Sequence, residues 1–154
     1  MACAKARHVR LRAAMEPAAI RVAAFEGISH LVVPVVALIG DTVIHPVNAP
    51  TPELVPLEVI EKAPGAWNGR PVLPDHPTEG GQQVSANAPD ILQTQAFGRI
   101  FNARVERGKL SLEAWLNPER ATAVGPAAVG VLERCRALEA VEVSVGAWVV
   151  TDEE

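Results

Sequence analysis

The sequence predicts an α+β fold in which helices flank a mainly antiparallel sheet or a small β-barrel. Segments with the composition of strands recur along the 154 residues. Two of these segments are separated by a short turn and form a predicted hairpin. A helix with proline at its first position lies between that hairpin and the last strand. The predicted order is therefore strand, strand, helix, extended segment, hairpin, helix and strand.

The first half of the predicted domain contains two strands and one helix. Residues 31–39 are rich in Val and Ile, as in a buried strand, and residues 40–41 form a turn. A second short strand covers residues 42–47. Proline at the first position and Pro-Gly after the end predict a short helix over residues 56–63. Residues 80–90 are polar and rich in Gly, Gln and Asn, which predicts a mobile loop.

The second half contains the hairpin, whose strands cover residues 96–105 and 109–116. Asn117 and the proline after it have the residue types preferred at the cap and first position of a helix. Gly125-Pro126 interrupts this helix, and an apolar stripe with three- and four-residue spacing follows. The stripe consists of Val129, Leu132, Cys135, Arg136 and Leu138.

The last predicted strand alternates strictly between two kinds of residue, which is typical of a strand with one buried face. One face carries Val141, Val143, Val145 and Ala147, and the other carries Glu142, Ser144, Gly146 and Trp148. A serine on such a strand is ordinarily a solvated residue. It becomes a candidate nucleophile only if a base reaches it.

Composition argues against several classes of function. The net charge of −4 argues against a protein that binds the phosphate backbone of nucleic acids. The longest apolar run, residues 31–39, is too short to span a bilayer. Cys3 and Cys135 lack the spacing of metal ligands, and no two of the four histidines form a close pair. We therefore expect no metal, no cofactor, no nucleic-acid partner and no membrane.

Residues 1–28 differ from the rest of the sequence. The segment up to Arg12 carries four basic and no acidic residues, and an Ala-rich stretch follows. These features are compatible with a basic arm, a presequence-like leader, a removable propeptide or a frayed terminus. We accordingly expect the folded, protease-like domain to cover residues 29–154.

Ser144 and His76 are the strongest candidates for a nucleophile and its base. Ser144 is held on a strand, and Gly146 on the same face leaves room for a substrate backbone. A serine hydroxyl needs a base to take its proton, and histidine does this near neutral pH. His76 lies at the end of an extended segment, and Pro77 after it disfavours helical backbone angles.

The third group, which would orient the imidazole, is left open by the sequence. Glu142 shares a face with Ser144 at a distance of about 7 Å along the strand. Asp75 is adjacent to His76, but neighbouring residues on an extended segment face apart. Asp152, Glu153 and Glu154 are further candidates.

Three blocks of the sequence resemble the prohead maturation proteases of tailed phages. The first comprises residues 67–72 (Trp-Asn-Gly-Arg-Pro-Val) and 75–77 (Asp-His-Pro). The second comprises residues 97–100 (Phe-Gly-Arg-Ile) and the hairpin at 105–116. The third is residues 142–146 (Glu-Val-Ser-Val-Gly). The blocks occur in the order of that family, and the resemblance extends over roughly residues 30–150.

This resemblance implies a fold like that of herpesvirus assemblin, a small and mostly antiparallel β-barrel surrounded by helices. It implies a serine endopeptidase that cleaves scaffold and capsid-protein segments, and often itself, inside the procapsid in the host cytoplasm. By position, His76 corresponds to the general base and Ser144 to the nucleophile. The family places a third residue after the serine, as a histidine or a carboxylate, and no histidine follows Ser144 here. The third residue is therefore Glu142, an acid among residues 152–154, or missing from this chain. Family analogy further suggests a homodimer.

Two different functions stay open. The first is a catalytically weak or inactive relative that serves as a scaffold or assembly protein, which the undefined third residue and the short C-terminus favour. The second is a non-enzymatic β-barrel binding module, which needs only the strands and an acidic surface.

Overall fold

The computed structural model describes residues 7–15, 19–45 and 51–149, which form an α+β fold. The strands are β1 (Arg7–Met15), β2 (Arg21–Phe25), β3 (Ile28–Ile39), β4 (Thr42–Ile44), β5 (Glu53–Val55), β6 (Pro71–Val72), β7 (Thr78–Glu79), β8 (Gln82–Gln83), β9 (Gly98–Glu106), β10 (Lys109–Leu116) and β11 (Glu142–Val149). The helices are α1 (Leu57–Lys62), α2 (Pro89–Gln95), α3 (Pro118–Val124) and α4 (Pro126–Arg136), with a short 3-10 helix at Pro64–Trp67.

The main sheet is antiparallel throughout, and its strands run in the order β11-β1-β3-β10-β9-β6. Strand β2 also pairs with β3, along a part of β3 that β1 does not reach. Strands β4 and β5 form one separate two-stranded sheet, and β7 and β8 form another. The first and last described strands of the chain therefore lie side by side at one end of the main sheet.

The described strands leave the main sheet open, so the predicted closure into a small β-barrel is not found in this part of the chain. Closure would require backbone hydrogen bonds between the two end strands, β6 and β11. Strand β6 has only two residues, and Pro71 has no N–H to donate. The α+β class and the mainly antiparallel sheet are confirmed, whereas the described strands form no closed barrel.

The basic N-terminal segment contributes two strands to the main sheet. Strand β1 pairs with β11 from Arg7 to Ala14 and with β3 at Ala14 and Met15. Strand β2 pairs with β3 along its whole length. The described part of residues 1–28, which we expected to be an arm or propeptide, is thus integrated into the sheet that carries Ser144.

The hydrophobic core lies between one face of the main sheet and the helices. Strands β3 and β10 each place alternate residues on this face, as the two-residue period of a strand requires. Burying each Val or Leu side chain stabilises the fold by about 1.5–3 kcal/mol. The core includes Leu31, Val33, Val35, Ala37, Leu110, Leu112, Ala114, Leu116, Ala121, Ala128, Leu132 and Cys135.

The hairpin of β9 and β10 confirms the sequence prediction. Arg107 and Gly108 form its turn with positive φ angles of 51° and 74°, as a type I′ turn requires. Asn102, with φ of 54°, lies at a bulge in β9 that shifts the register between Ser111 and Glu113 of β10. The bulge is a local feature that the sequence pattern did not predict.

Helices α3 and α4 follow the predicted capping pattern. The Asn117 side chain accepts a hydrogen bond from the N–H of Arg120 (3.1 Å), and a proline opens the helix. Gly125, with φ of 136°, separates α3 from α4 as predicted. The predicted apolar stripe of residues 129–138 extends too far, because its last residue is not in the helix. Helix α4 ends at Arg136, and Leu138 is 62% exposed because a positive φ turns the chain away there.

Residues 80–90 are more regular than the predicted loop. Gly80 and Gly81 both have positive φ angles and form the turn between β7 and β8. Helix α2 begins within the same segment, at Pro89. The prediction of a loop throughout is wrong, because a two-residue glycine turn allows two very short strands to pair.

A substitution at Gly98 tests how closely β9 and β10 approach each other. A Cβ atom at Gly98 would lie 2.5 Å from the backbone oxygen of Trp115, which is too close for these two atoms. We expect Gly98→Ala to lower the free energy of unfolding by about 1–3 kcal/mol, because the backbone must shift. Urea denaturation followed by tryptophan fluorescence measures the loss.

Gly65→Ala is the matched control for this prediction. A Cβ atom at Gly65 would meet no atom within 4 Å, so the stability should change by less than about 0.5 kcal/mol. Equal losses in the two variants would contradict a specific close approach at Gly98.

Candidate active site

His76 and Ser144 lie within hydrogen-bonding distance of each other. The distance between Nε2 of His76 and Oγ of Ser144 is 2.9 Å, although 68 residues separate them in the chain. Ser144 is exposed on β11, and His76 is half-buried in the segment between β6 and β7. The structure thus brings together the two residues that the sequence singles out as nucleophile and base.

Strand β11 holds Ser144 through backbone pairing with β1. Arg12 is the register partner of Ser144, and the pairing extends to both sides of it. Immediately before β11, Val141 is buried in the core, whereas Glu142 and Ser144 are exposed. For these three residues the predicted alternation is found, and it presents Ser144 away from the core.

Backbone hydrogen bonds hold the segment that carries His76 at both ends. Upstream, the carbonyl of Val72 accepts a hydrogen bond from the N–H of Phe97 (3.0 Å). Downstream, the carbonyl of Pro77 accepts one from the N–H of Val84 (3.0 Å), and Pro77 is itself buried. Pro77 also disfavours helical backbone angles at His76. The histidine therefore sits on a short segment that is fixed from two sides.

The Trp-Asn-Gly-Arg block binds strand β9 just upstream of this segment. Oδ1 of Asn68 accepts a hydrogen bond from the N–H of Ala103 (2.9 Å), next to the bulge. The N–H of Gly69 donates to the carbonyl of Ile100 (2.7 Å), and the N–H of Ile100 donates to the carbonyl of Arg70 (2.9 Å). Gly69 has φ of 80°, where a side chain would be strained. The block thus sets where the His76 segment leaves the sheet.

The contact between His76 and Ser144 is suited to proton transfer. A neutral imidazole that carries its proton on Nδ1 can accept the serine hydroxyl proton at Nε2. Loss of that proton makes Oγ a nucleophile towards a carbonyl carbon. Because Ser144 is exposed, a substrate can approach Oγ from solvent. The geometry therefore fits acyl transfer.

The third member of a catalytic set is not defined by these contacts. Glu142 lies on the exposed face of β11 two residues before Ser144, about 7 Å along the strand. Asp75 is exposed beside His76. Asp152, Glu153 and Glu154 lie outside the described residues. The assignment of Glu142 as the third residue stays a prediction.

The remaining histidines and cysteines lie in less suitable places. Cys135 is buried in the core, and burial raises the pKa of its thiol, which disfavours the reactive thiolate. His30 is buried, and its Nδ1 lies 2.8 Å from the carbonyl of Ile28. His45 is exposed just after β4. Cys3 lies outside the described residues.

A charged cluster around the buried carboxylate of Glu113 on β10 was missed by sequence reasoning. Glu113 is 9% exposed, and its carboxylate accepts hydrogen bonds from Arg21 of β2 and Asn102 of β9. The hydrogen bond from Arg21 lowers the pKa of Glu113 against the opposing effect of burial, and Asn102 lowers it further. Asn102 lies at the β9 bulge with a positive φ angle, which Asn adopts more readily than most residues, but the sequence pattern did not predict a bulge there.

Aromatic rings surround this charged cluster on the same side of the sheet. The guanidinium carbon of Arg21 lies 5.8 Å from the ring centroid of Trp115, within the range of a cation–π contact. Phe25 lies 5.1 Å from Phe101 and 6.2 Å from Trp115, and His30 lies 6.1 Å from Trp115, between ring centroids. Through these contacts, side chains of β2 pack on the face of β9 and β10 that is opposite the main core.

Among the described residues, no group of three or more His, Cys, Asp or Glu side chains is placed to hold a metal ion. In the same part of the chain, no helix is long and apolar enough to cross a membrane.

Comparison with known proteins gave no match. No protein-family model, no curated protein and no solved structure matches the chain. Any function assigned to the chain therefore rests on its own residues and on the geometry around His76 and Ser144.

The cluster at Glu113 predicts a specific loss of stability in acid. A carboxyl group whose pKa lies below its ordinary value of 4.5 stabilises the fold while it is ionised, and this contribution is lost as the pH falls from 4.5 towards the lower folded-state value. Glu113→Gln should lower the free energy of unfolding by about 1–3 kcal/mol at neutral pH. Below pH 4.5 the stability of this variant should fall less steeply with pH than that of the parent protein. Urea denaturation at a series of pH values measures both effects.

Glu61→Gln, at an exposed position of α1, is the control for this series. It removes one carboxylate without touching the cluster, so its stability should follow the parent protein at every pH. A Glu113→Gln profile parallel to that of the parent would contradict the contribution of the ionised Glu113.

Proposed function

We propose that this chain is a serine endopeptidase in which Ser144 is the nucleophile and His76 is the general base. The observation that supports this most directly is the 2.9 Å separation of Nε2 and Oγ. Ser144 is held by a paired strand, and His76 lies on a segment fixed at both ends. Such pre-positioning of the reacting groups accounts for a large part of enzymatic rate enhancement.

The proposed reaction follows from these two groups. His76 accepts the hydroxyl proton of Ser144 as Oγ forms a bond to the scissile carbonyl carbon. The imidazolium then donates this proton to the leaving amine as the C–N bond breaks, which leaves an acyl-enzyme. A water molecule, deprotonated by the same imidazole, releases the acid product and restores the serine hydroxyl. Backbone N–H groups near Ser144 are the candidate donors to the oxyanion.

We further propose that the endopeptidase is of the prohead maturation type. The positions of the three sequence blocks in the structure support this proposal. The first block carries His76 and binds β9 through residues 68–70. In the second block, Ile100 exchanges hydrogen bonds with Gly69 and Arg70, and the N–H of Phe97 donates to the carbonyl of Val72. The third block carries Ser144. Residues of all three blocks thus carry the two proposed catalytic residues or hold the segment of His76 on β9.

On this basis we propose that the substrates are scaffold and capsid-protein segments, cleaved inside the procapsid in the host cytoplasm. The resemblance also implies an assemblin-like arrangement, of which the described residues show the antiparallel sheet and the helices but no closed barrel. Homodimer formation and the third catalytic residue, with Glu142 as the candidate, belong to the same proposal.

A fluorescent fluorophosphonate probe, which reacts with activated serines, tests the pair directly. We expect labelling at Ser144, abolished by Ser144→Ala and slowed on the order of 10²–10⁴-fold by His76→Ala, because the general base is lost. Mass spectrometry of the labelled peptide identifies the site. Ser85→Ala and His45→Ala are matched controls at other positions and should label at the parent rate.

Labelling that persists in Ser144→Ala would contradict the proposed nucleophile. No labelling, combined with no cleavage of any protein substrate, would favour a non-enzymatic binding module instead.

Processing of the cognate scaffold and capsid proteins separates the protease from an inactive assembly relative. Co-expression with these proteins should yield processed capsid protein with the parent chain, and unprocessed procapsids with Ser144→Ala. Sodium dodecyl sulphate gels and intact-mass measurement follow the products. Unchanged processing with Ser144→Ala would overturn the proposed activity.

A further inference from the structure

Arg120 of α3 holds the C-terminal end of α2. Its Nη2 donates hydrogen bonds to the carbonyls of Gln93 (2.7 Å) and Ala96 (3.1 Å), and its Nε donates to the same Ala96 carbonyl (3.3 Å). The last carbonyls of a helix have no partner within the helix, and a cation beside them is favourable. Among the described residues, every hydrogen bond that reaches α2 or Ala96 from another element comes from Arg120.

The C-terminal end of α2 leads directly into the upstream anchor of the His76 segment. Phe97 follows Ala96, and its N–H donates to the carbonyl of Val72 (3.0 Å), four residues before His76. Phe97 is 1% exposed, and its carbonyl accepts a hydrogen bond from the N–H of Asn117, the cap of α3 (2.8 Å). The cap and first turn of α3 therefore hold the chain on both sides of the peptide bond that joins Ala96 to Phe97.

The downstream anchor belongs to the other end of the same segment. The N–H of Val84 donates to the carbonyl of Pro77, which directly follows His76 (3.0 Å). Residues 84–97 thus contain α2 and both backbone anchors of the His76 segment. A shift of residues 84–97 would move both anchors. Pro74 and Pro77, on either side of His76, fix their own φ angles and restrict the backbone changes by which the chain can compensate.

We propose that Arg120 is a positioning residue for the general base. It fixes residues 84–97 on α3 and thereby keeps Nε2 of His76 at hydrogen-bonding distance from Oγ of Ser144. This inference rests on the proposed endopeptidase function and adds to it a residue whose hydrogen bonds go to neither reacting group. Arginine suits the role because its planar guanidinium donates to two carbonyls in a fixed geometry.

A merely structural role of Arg120 gives a different pattern of loss. Removal of the bonds to α2 would then lower the free energy of unfolding and leave the reaction rate of the folded protein unchanged. A positioning role lowers the rate of the folded protein, but only while an imidazole is present to be positioned. The dependence on His76 therefore separates the two roles.

The test combines Arg120→Met with His76→Ala in the full chain. Rates of labelling by the fluorophosphonate probe are measured at neutral pH, at a temperature where tryptophan fluorescence shows every variant to be folded. We expect Arg120→Met to label about 10–10²-fold more slowly than the parent chain, because a displacement of about 1 Å has effects of this size. In the His76→Ala background, Arg120→Met should change the rate by less than about 2-fold, because no base is left to position.

Arg120→Lys and Arg136→Met are the companion variants. Lysine keeps a donor for the carbonyl of Ala96, so Arg120→Lys should label at a rate between those of the parent chain and Arg120→Met. It takes the place of Arg120→Met in every comparison if the latter does not fold. Arg136→Met removes the same charge from an exposed position of α4 and should label at the parent rate.

Nuclear magnetic resonance of the chain with ¹⁵N-labelled histidine tests the geometry without any reaction. The Nε2 signal of His76 is assigned by its loss in His76→Gln. Ser144→Ala should shift this signal in the parent chain, because it removes the hydroxyl that lies 2.9 Å from the ring nitrogen. In the Arg120→Met background, Ser144→Ala should shift the signal by less than about half as much, because the two atoms no longer meet.

The outcomes separate this inference from the function on which it rests. Parent-rate labelling of Arg120→Met overturns the inference and leaves the protease proposal standing, as does equal slowing in the presence and absence of His76 or by Arg136→Met. A parent chain that is neither labelled nor able to cleave protein overturns the protease proposal. The histidine signals then decide the role of Arg120, and an undiminished effect of Ser144→Ala in Arg120→Met overturns it.

Discussion

The position of the candidate nucleophile depends on one strand from the opposite end of the chain. Within the described residues, β11 pairs only with β1, and β1 reaches the rest of the main sheet through two register pairs with β3. Pairing between segments so distant in sequence must overcome the entropy of closing a long loop before any ladder bond forms. The burial of Val141 in the core, immediately before β11, offsets part of that cost.

The hydrogen bond between His76 and Ser144 connects the two ends of the strand order. His76 follows β6 by four residues, and Ser144 lies on β11 at the other end of the sheet. In a closed barrel, a backbone ladder would join these ends. In the described structure a side-chain hydrogen bond joins them, so the geometry of the site depends on how the whole sheet is shaped. Substitutions far from either residue, such as those at the β9 bulge, can therefore change the distance between Nε2 and Oγ.

Local sequence signals predicted those parts of the fold that neighbouring residues determine. The turn at Arg107-Gly108 and the cap at Asn117 follow from residue types at adjacent positions, and both are confirmed. The residues around Ser144 and His76 made each of them a candidate, and the resemblance of separate blocks supported pairing them, since no periodicity connects residues so far apart.

The sequence did not predict the contribution of β1 or the cluster at Glu113, because each depends on distant partners. Glu113 lies on the polar face of an alternating strand, where solvation is the usual outcome, and its partner Arg21 is 92 residues away. The arginines of β1 suggested a solvated basic arm. The alternation of Arg10 and Arg12 with Val9 and Leu11 was nevertheless a readable signal for a strand with one apolar face.

The integration of β1 changes what proteolytic removal of the N-terminal segment would do. A propeptide ordinarily restrains an enzyme, and its loss releases activity. Loss of residues 1–28 would here remove the strand that pairs with β11, together with Arg10 and Arg12. It would also remove Arg21, which holds the carboxylate of Glu113. Because the strand that bears Ser144 would then lose its described backbone partner, we expect removal of β1 to abolish the proposed activity. The same residues that suggested a dispensable arm are thus those that hold the nucleophile in place.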